Sequence, residues 1–326
     1  MNPKIRIGII GCGWIAEKMA ITLQGMEKVE AYAIASRDYK KAEAFAAQWN
    51  FTQCYGSYEE MLDDEKVDLV YIATPHSHHF EHTRLSLLKG KPVLCEKAFT
   101  ANAKQAEELL RLAKEKKLFI TEAIWTRYMP LSGTIRELID KEVIGKPQLL
   151  SANLGYPNYH KERMYKPELC GGALLDLGVY TLNFAAMAFG TDIVRTTSTC
   201  IKTETGVDAQ NSITLEYADG KMAVLCSSLM TKSDRQGIIS GDKGFMIVEN
   251  INNPQKVSVY NQDYQLTAVY ECPPQITGYE YQVYASIEAL EKGWLESPYM
   301  PHAETLRIMR QMDDLRKEWN VKYPFD

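Results

Sequence analysis

The sequence predicts a two-part fold. The first part is α/β, a doubly wound parallel sheet. The second is α+β, an open and mostly antiparallel sheet covered by helices on one face. Three observations predict it. Strand-like and helix-like segments alternate as far as Glu122. Beyond about residue 145 the apolar period changes to two, with glycine turns between segments. A glycine-rich turn, Gly11-x-Gly13-x-x-Ala16, joins the first strand to the first helix. A chain of 326 residues has room for two domains, drawn here at 1–122 and 123–326.

In the first half, strands are expected near 4–10, 29–35, 67–73, 92–95 and 118–121, and helices near 14–25, 39–49, 79–89 and 102–117. The segment Lys4 to Ile10 is short, β-branched and almost uncharged, as a strand covered on both faces must be. In the second half, strands are expected near 148–154, 194–202, 211–217, 221–229, 244–249 and 256–259. Asp219-Gly220 and Asp242-Lys243-Gly244 separate several of them as hairpin turns do. Helices near 174–188 and 279–292 are expected to cover one face of this sheet, and a helix near 302–319 to pack back on the body.

Hydrophobic residues make up 45% of the chain and charged residues 24%, an ordinary globular balance. A net charge of −5 gives no reason to expect nucleic acid or a membrane as partner. No apolar run reads as reaching the roughly 20 residues that span a bilayer, and no signal peptide is expected. The seven cysteines are scattered and none forms a Cys-x-x-Cys pair, so neither a disulfide framework nor a zinc site is indicated. Reduced thiols in a cytoplasmic protein are the expectation.

The glycine turn sits where a dinucleotide fingerprint requires it, between a strand and a helix. Gly11 permits the tight turn, Gly13 lets the backbone approach a pyrophosphate, and Ala16 keeps the helix close to the sheet. Trp14 and Ile15 open the helix, whose N-terminus offers free N–H groups and a positive dipole end. The plain alternative is a βα turn with no ligand. The second strand ends Ala35-Ser36-Arg37-Asp38, where an NAD-binding chain usually has an acid for the ribose. Ser36 and Arg37, with Lys41 one helical turn on, suit a 2′-phosphate better, so NADP is favoured while NAD stays open. Asp38 reads as the N-cap of the next helix.

After the strand at 67–73 come Thr74-Pro75-His76-Ser77-His78-His79. Ligands of such sheets bind beyond the carboxyl ends of strands, so this loop is placed to line the cofactor pocket, with His76 and His79 as contacts. His78 and His82 are four apart, which raises a metal site as an alternative, but no further ligand group stands out and no metal is expected. Glu96 and Lys97 end the next strand and face the same crevice. Lys97 can lower the barrier to deprotonation of a substrate hydroxyl. Further on, Gly171-Gly172 would permit close approach of backbone to ligand. Asp176 and Tyr180 share one helical face. A tyrosine beside a lysine cation has its pKa lowered and can take an alcohol proton. The alternative is a buried structural tyrosine.

These motifs resemble those of the Gfo/Idh/MocA oxidoreductases over essentially the whole chain: Gly11-x-Gly13-x-x-Ala16, Thr74-Pro75-x-x-x-His79, Glu96-Lys97 and Gly171-Gly172-x-x-x-Asp176-x-Gly178. Within that family the resemblance is to the dihydrodiol and xylose dehydrogenases, carried by Glu122 to Tyr128, Gly171 to Tyr180 and the tail Met312-Asp313-Asp314-Leu315-Arg316. It implies NADP as cofactor, a secondary hydroxyl of a sugar, polyol or cyclic diol as substrate, and a homodimer through the second sheet. It implies Tyr180 as acid/base with Lys97 and Asp176, Arg37 and Lys41 at the 2′-phosphate, and Trp125 at the substrate wall. Tyr156 is a second candidate for that wall. Two departures stand out. Ala98 replaces the proline common after Glu-Lys, and Tyr180 stands where much of the family has histidine. A cofactor-binding sensor without turnover, and a metal hydrolase on the histidine loop, are the rival readings.

Overall fold

The computed structural model describes residues 4–326. They form two compact units: residues 4–124 with 275–310, and residues 125–274 with 311–326.

The first unit holds β1 (Ile5–Ile10), α1 (Trp14–Gln24), β2 (Val29–Ala35), α2 (Tyr39–Trp49), β3 (Gln53–Tyr55), α3 (Tyr58–Asp63), β4 (Leu69–Ile72), α4 (His76–Leu88), β5 (Val93–Glu96), α5 (Ala103–Lys116) and β6 (Ile120–Ala123). The six strands are parallel, in the order β3-β2-β1-β4-β5-β6. This is the doubly wound order, in which the chain reverses direction between β1 and β4. β4 and β5 are buried at every position, because helices cover both faces. Asp38 caps α2 as the sequence predicts, accepting from the Lys40 and Lys41 amides. Neither β3 nor α3 is anticipated from sequence. A three-residue strand carries too little pattern, and α3 is only six residues long.

The second unit begins with a 3-10 turn (Trp125–Tyr128), followed by α6 (Pro130–Asp140), β7 (Pro147–Gly155) and α7 (Glu162–Tyr165). A π-helical turn (Leu174–Gly178) then leads into α8 (Val179–Phe189). The strands β8 (Ile193–Lys202), β9 (Asp208–Tyr217), β10 (Met222–Ser228), β11 (Gly237–Gly241), β12 (Gly244–Glu249), β13 (Lys256–Asn261) and β14 (Leu266–Glu271) follow. Eight strands form one sheet in the order β14-β13-β12-β11-β7-β10-β9-β8. Only the β7–β10 pairing is parallel. β9 and β12 alternate buried and partly exposed residues, so the sheet buries one face and leaves the other open.

Two expectations need correction. The helix predicted at 279–292, observed as α9 (Glu280–Lys292), was expected to cover the second sheet. It packs in the first unit, where Thr277 bonds Thr22 at 2.6 Å and Leu295 accepts from the Ile120 amide. The second unit is therefore not a continuous 123–326. Also, the helical run 167–189 is long and apolar enough to cross a membrane, although no such run was expected. It is 89% buried within the fold and carries Asp176, as a core helix does. The last helix, α10 (His302–Glu318), starts in the first unit and ends in the second.

Candidate active site

β1 ends at Ile10 and the chain turns at Gly11, whose φ of 103° favours glycine. A Cβ there would stand 2.9 Å from the Ala73 carbonyl oxygen, just past β4. The fold itself therefore demands Gly11. Gly13 differs. Its φ is −92°, open to any residue, and a Cβ would meet no atom of the chain within 4 Å. Nothing among the described residues requires glycine at 13, and the open space leaves its backbone free for close approach by a ligand. Gly13 is the N-cap of α1, and no side chain caps the amides that follow it. These amides, from Trp14 and Ile15 onward, suit a pyrophosphate. Ala16 is fully buried, as close packing of α1 on the sheet requires.

At the end of β2, the Asp38 carboxylate is engaged with two helix amides. Ser36 accepts from the Asp38 amide at 3.2 Å. Ser36 and Lys41 both act on the Cys12 thiol, which burial nevertheless pushes up to about 11. Arg37 lies beside Tyr58, His78 and His82. Burial first, and Arg37 with the other charges second, holds His78 below its usual range and His82 at about 4. Arg37 and Lys41 are exposed cations near imidazoles and hydroxyls, a combination that suits a phosphate dianion. The sequence did not point to Tyr58, which sits on an unanticipated helix.

α4 begins at His76, so the histidines expected on a loop lie in its first turns. Thr74 bonds His82 at 3.1 Å and Pro75 is the N-cap. The His79 ring is fully buried between the Thr74 and Ala98 carbonyl oxygens, each 2.8 Å away. Burial lowers its pKa to about 4 while the two carbonyls raise it; a neutral ring, with a single N–H, donates to only one of them. The sequence placed His79 at the cofactor; in the structure both its nitrogens face backbone carbonyl oxygens. It joins the Thr74 turn to the turn after β5. His76 is also buried, with its ring 5.7 Å from that of His79.

Glu96 is buried, hydrogen-bonded by the Tyr71 hydroxyl and, at 3.3 Å, by the Lys97 amide. An exposed ion pair is thus excluded; the carboxylate anchors the backbone that presents half-buried Lys97. The Lys97–Ala98 peptide bond is cis.

In the second unit, a Cβ on Gly171 would fall 2.6 Å from the Met164 carbonyl oxygen, and one on Gly172 2.3 Å from Asp208 Oδ1. The double glycine therefore admits the chain's own backbone and carboxylate, not a ligand as expected. Asp176 and Tyr180, both buried, straddle the change from π to α geometry. Arg163 Nη1 lies 3.1 Å from Asp176 Oδ1. Nothing in the sequence singled out Arg163, which sits in a short polar helix. Trp125 is buried in the 3-10 turn, and its neighbour Arg127 ties that turn to Asn183 of α8 at 2.5 Å. The Tyr156 hydroxyl accepts from Arg235 at 3.1 Å and donates to Asn252 at 3.4 Å. Among the described residues, no three or more His, Cys, Asp or Glu side chains are grouped to hold a metal.

A doubly wound sheet, a glycine cradle at its switch point and a cationic end to β2 define a dinucleotide-binding oxidoreductase fold. The chain belongs to the Gfo/Idh/MocA oxidoreductase family: the oxidoreductase family with NAD-binding Rossmann fold matches residues 5–123, and the GFO/IDH/MocA C-terminal domain matches residues 133–247. The chain is 33% identical to trans-1,2-dihydrobenzene-1,2-diol dehydrogenase of Xenopus tropicalis, over 97% of this chain and 98% of the relative. It is 35% identical to the NADP(+) D-xylose 1-dehydrogenase of Hypocrea jecorina, over 99% and 94%. Among solved structures it is similar to KijD10, a 3-ketoreductase from Actinomadura kijaniata in complex with NADP and TDP-benzene, with TM-score 0.88, 26% identity and coverage of 97% and 98%.

Proposed function

We propose that this protein is an NADP-dependent dehydrogenase acting on a secondary hydroxyl of a cyclic sugar or diol. The observation that carries the proposal is the full-length similarity to two dehydrogenases whose substrates, a trans-diol and D-xylose, share a ring carbon bearing a hydroxyl. The relative named for D-xylose is also named for NADP(+). Ser36, Arg37 and Lys41 in this chain suit the same 2′-phosphate.

NADP, when bound, would supply the hydride acceptor. The residues of this chain do the rest. Gly11, Gly13, Trp14 and Ile15 receive the pyrophosphate, while Thr74, Pro75 and His76 border the nucleotide. Glu96 holds the backbone of Lys97. Tyr180 takes the hydroxyl proton as the hydride, carrying both electrons, leaves the carbon that bears that hydroxyl, so the carbinol becomes a carbonyl. Lys97 is the partner of Tyr180 that the family resemblance implies. Asp176, held by Arg163, orients the substrate, and Trp125 and Tyr156 wall it. Single lysine and tyrosine variants of the 3-ketoreductase have been solved, which accords with this pairing.

We further propose a homodimer through the open face of the second sheet, in the cytoplasm. A groove of about 410 Å³ runs across that face, past Asn153, Cys226, Ser212 and Thr199 in one row. The edge strand β8 exposes Val194 and Ile201, and such an edge invites a partner. All seven cysteines are free, as suits a reducing compartment.

The test is to titrate NADPH and NADH by fluorescence, then to offer NADP with D-xylose and with trans-1,2-dihydrobenzene-1,2-diol. Tight NADPH binding with reduction on either substrate supports the proposal. In Tyr180→Phe, turnover should fall by about 10²-fold or more with NADPH affinity unchanged. Unaltered turnover in that variant overturns the assignment of Tyr180, and NADPH binding without any turnover favours a sensor.

A further inference from the structure

The tail motif Asp313-Asp314-Leu315-Arg316 takes no part in the chemistry proposed above, yet Arg316 is only 4% exposed. Its Nη2 donates to Asp313 Oδ1 at 2.7 Å. Its two terminal nitrogens grip both oxygens of Asp326 at 2.8 and 3.0 Å. The guanidinium lies 4.5 Å from the centre of the Tyr323 ring, and the Tyr323 amide donates to Asp326 at 2.8 Å. These contacts hold the ring and the backbone that bears it. The buried hydroxyl of this ring donates to the Gly171 carbonyl at 2.6 Å.

We infer that residues 313–326 form a brace for the backbone that carries Asp176 and Tyr180, and that Tyr323 is the positioning residue through which it acts. The inference rests on the catalytic roles proposed for those two residues. The segment needs outside support because its backbone is irregular. Cys170 has φ 54°, Gly172 has φ 126°, and a π turn follows. Backbone groups in such a stretch lack the partners that a regular helix supplies. Tyr323 meets the need at Gly171. Asp208 meets it at Leu174, whose amide donates to Oδ2 at 2.7 Å. Asp208 is in turn fixed by Asn211 at 2.9 Å, and Asn211 by Ser227 at 2.8 Å, so this second hold is anchored in β9 and β10. The strap bearing Arg163 closes the third side, with the Gly172 amide donating to Met164 at 2.9 Å. Of the three holds, only the one at Gly171 comes from a distant part of the chain through a single hydroxyl.

Tyr323→Phe removes that hydroxyl and keeps the ring on Arg316. With NADP and whichever of D-xylose or the trans-diol is turned over, kcat should fall about tenfold or more, as small displacements of catalytic groups do. The KM for NADP should stay within about twofold, since the nucleotide cradle lies in other residues. The kcat–pH profile should shift, because Tyr180 has moved relative to the charges that set its ionisation. Tyr180→Phe is measured beside it. An inactive Tyr180→Phe with a wild-type Tyr323→Phe overturns the brace alone. A fall in kcat with an unmoved pH profile and a matching loss of melting temperature marks general loosening and also overturns the brace. An active Tyr180→Phe overturns both the catalytic assignment and the brace that depends on it.

Discussion

Arg163 donates to Asp176 across 3.1 Å, with the arginine 40% exposed and the carboxylate 6%. The carboxylate is thus buried on one side and paired with the Arg163 cation on the solvent side. Arg163→Met should leave it without that partner. The cost falls between that of an exposed pair and that of a buried one, about 1–2 kcal/mol. If it is felt at the reacting centre, kcat/KM drops about tenfold. Arg163→Lys should recover part of the loss, because the charge remains while the planar donor geometry goes. Steady-state kinetics of both variants test this, and equal activity of all three proteins would show that the pair has no catalytic part.

Arg37 is the group on which the choice of NADP turns. It lies beside Tyr58, His78 and His82. A charged hydrogen bond is worth roughly 1.5–3 kcal/mol. Arg37→Ala should therefore raise the Kd for NADPH about 10- to 100-fold and leave that for NADH within about twofold. Fluorescence titration of both nucleotides decides it. Equal weakening of both would mean that Arg37 serves the fold and not the phosphate.

Much of this was legible in the sequence, for physical reasons that differ by region. The turn from β1 to α1 declares itself because glycine is demanded there by backbone geometry and by ligand approach. β4 and β5 read as apolar runs because both faces are covered. β11 and β14 were missed. β11 is bounded by Gly237 and Gly241, which read as turn residues. β14 is an edge strand with no buried position, so it carries no alternation. The pattern of α9 announces a helix but not which core it covers. The roles of Gly171 and Gly172 were misassigned because a close approach looks the same in sequence whether the neighbour is a ligand or the chain. Arg163 left no signal, except that a buried Asp176 in an apolar helix calls for a cation from somewhere.

The two cradle glycines should respond to alanine in opposite ways. Gly11→Ala puts a side chain at φ 103° and 2.9 Å from a carbonyl oxygen. Strain of this kind costs about 1–3 kcal/mol, so the melting temperature should fall clearly. Gly13→Ala has an ordinary φ and open space, so stability should not change. It should weaken NADPH binding all the same, because the new methyl stands where the pyrophosphate approaches. Thermal unfolding and nucleotide titration on both variants separate the two roles. A Gly13→Ala protein that binds NADPH normally would remove the pyrophosphate from this turn.

His79 and His82 should make the fold sensitive to mild acid. Each is buried and held near 4, against 6.5 for an unconstrained histidine. The folded state thus binds fewer protons than the unfolded state between those values, and the slope of stability with pH follows from that difference. For a lowered pKa, the stabilisation is complete above 6.5 and is lost as pH falls toward 4. Asp208, whose pKa burial raises to about 7, takes up its proton in the same interval, from pH 7 to 5, and opposes the trend, so the histidine part is read from the difference between wild type and a histidine variant. The urea midpoint should decline across that interval. In His82→Gln, which can still meet Thr74 with its amide, the decline should be shallower. A decline equally steep in the variant would mean that the His82 ring is not held neutral by burial.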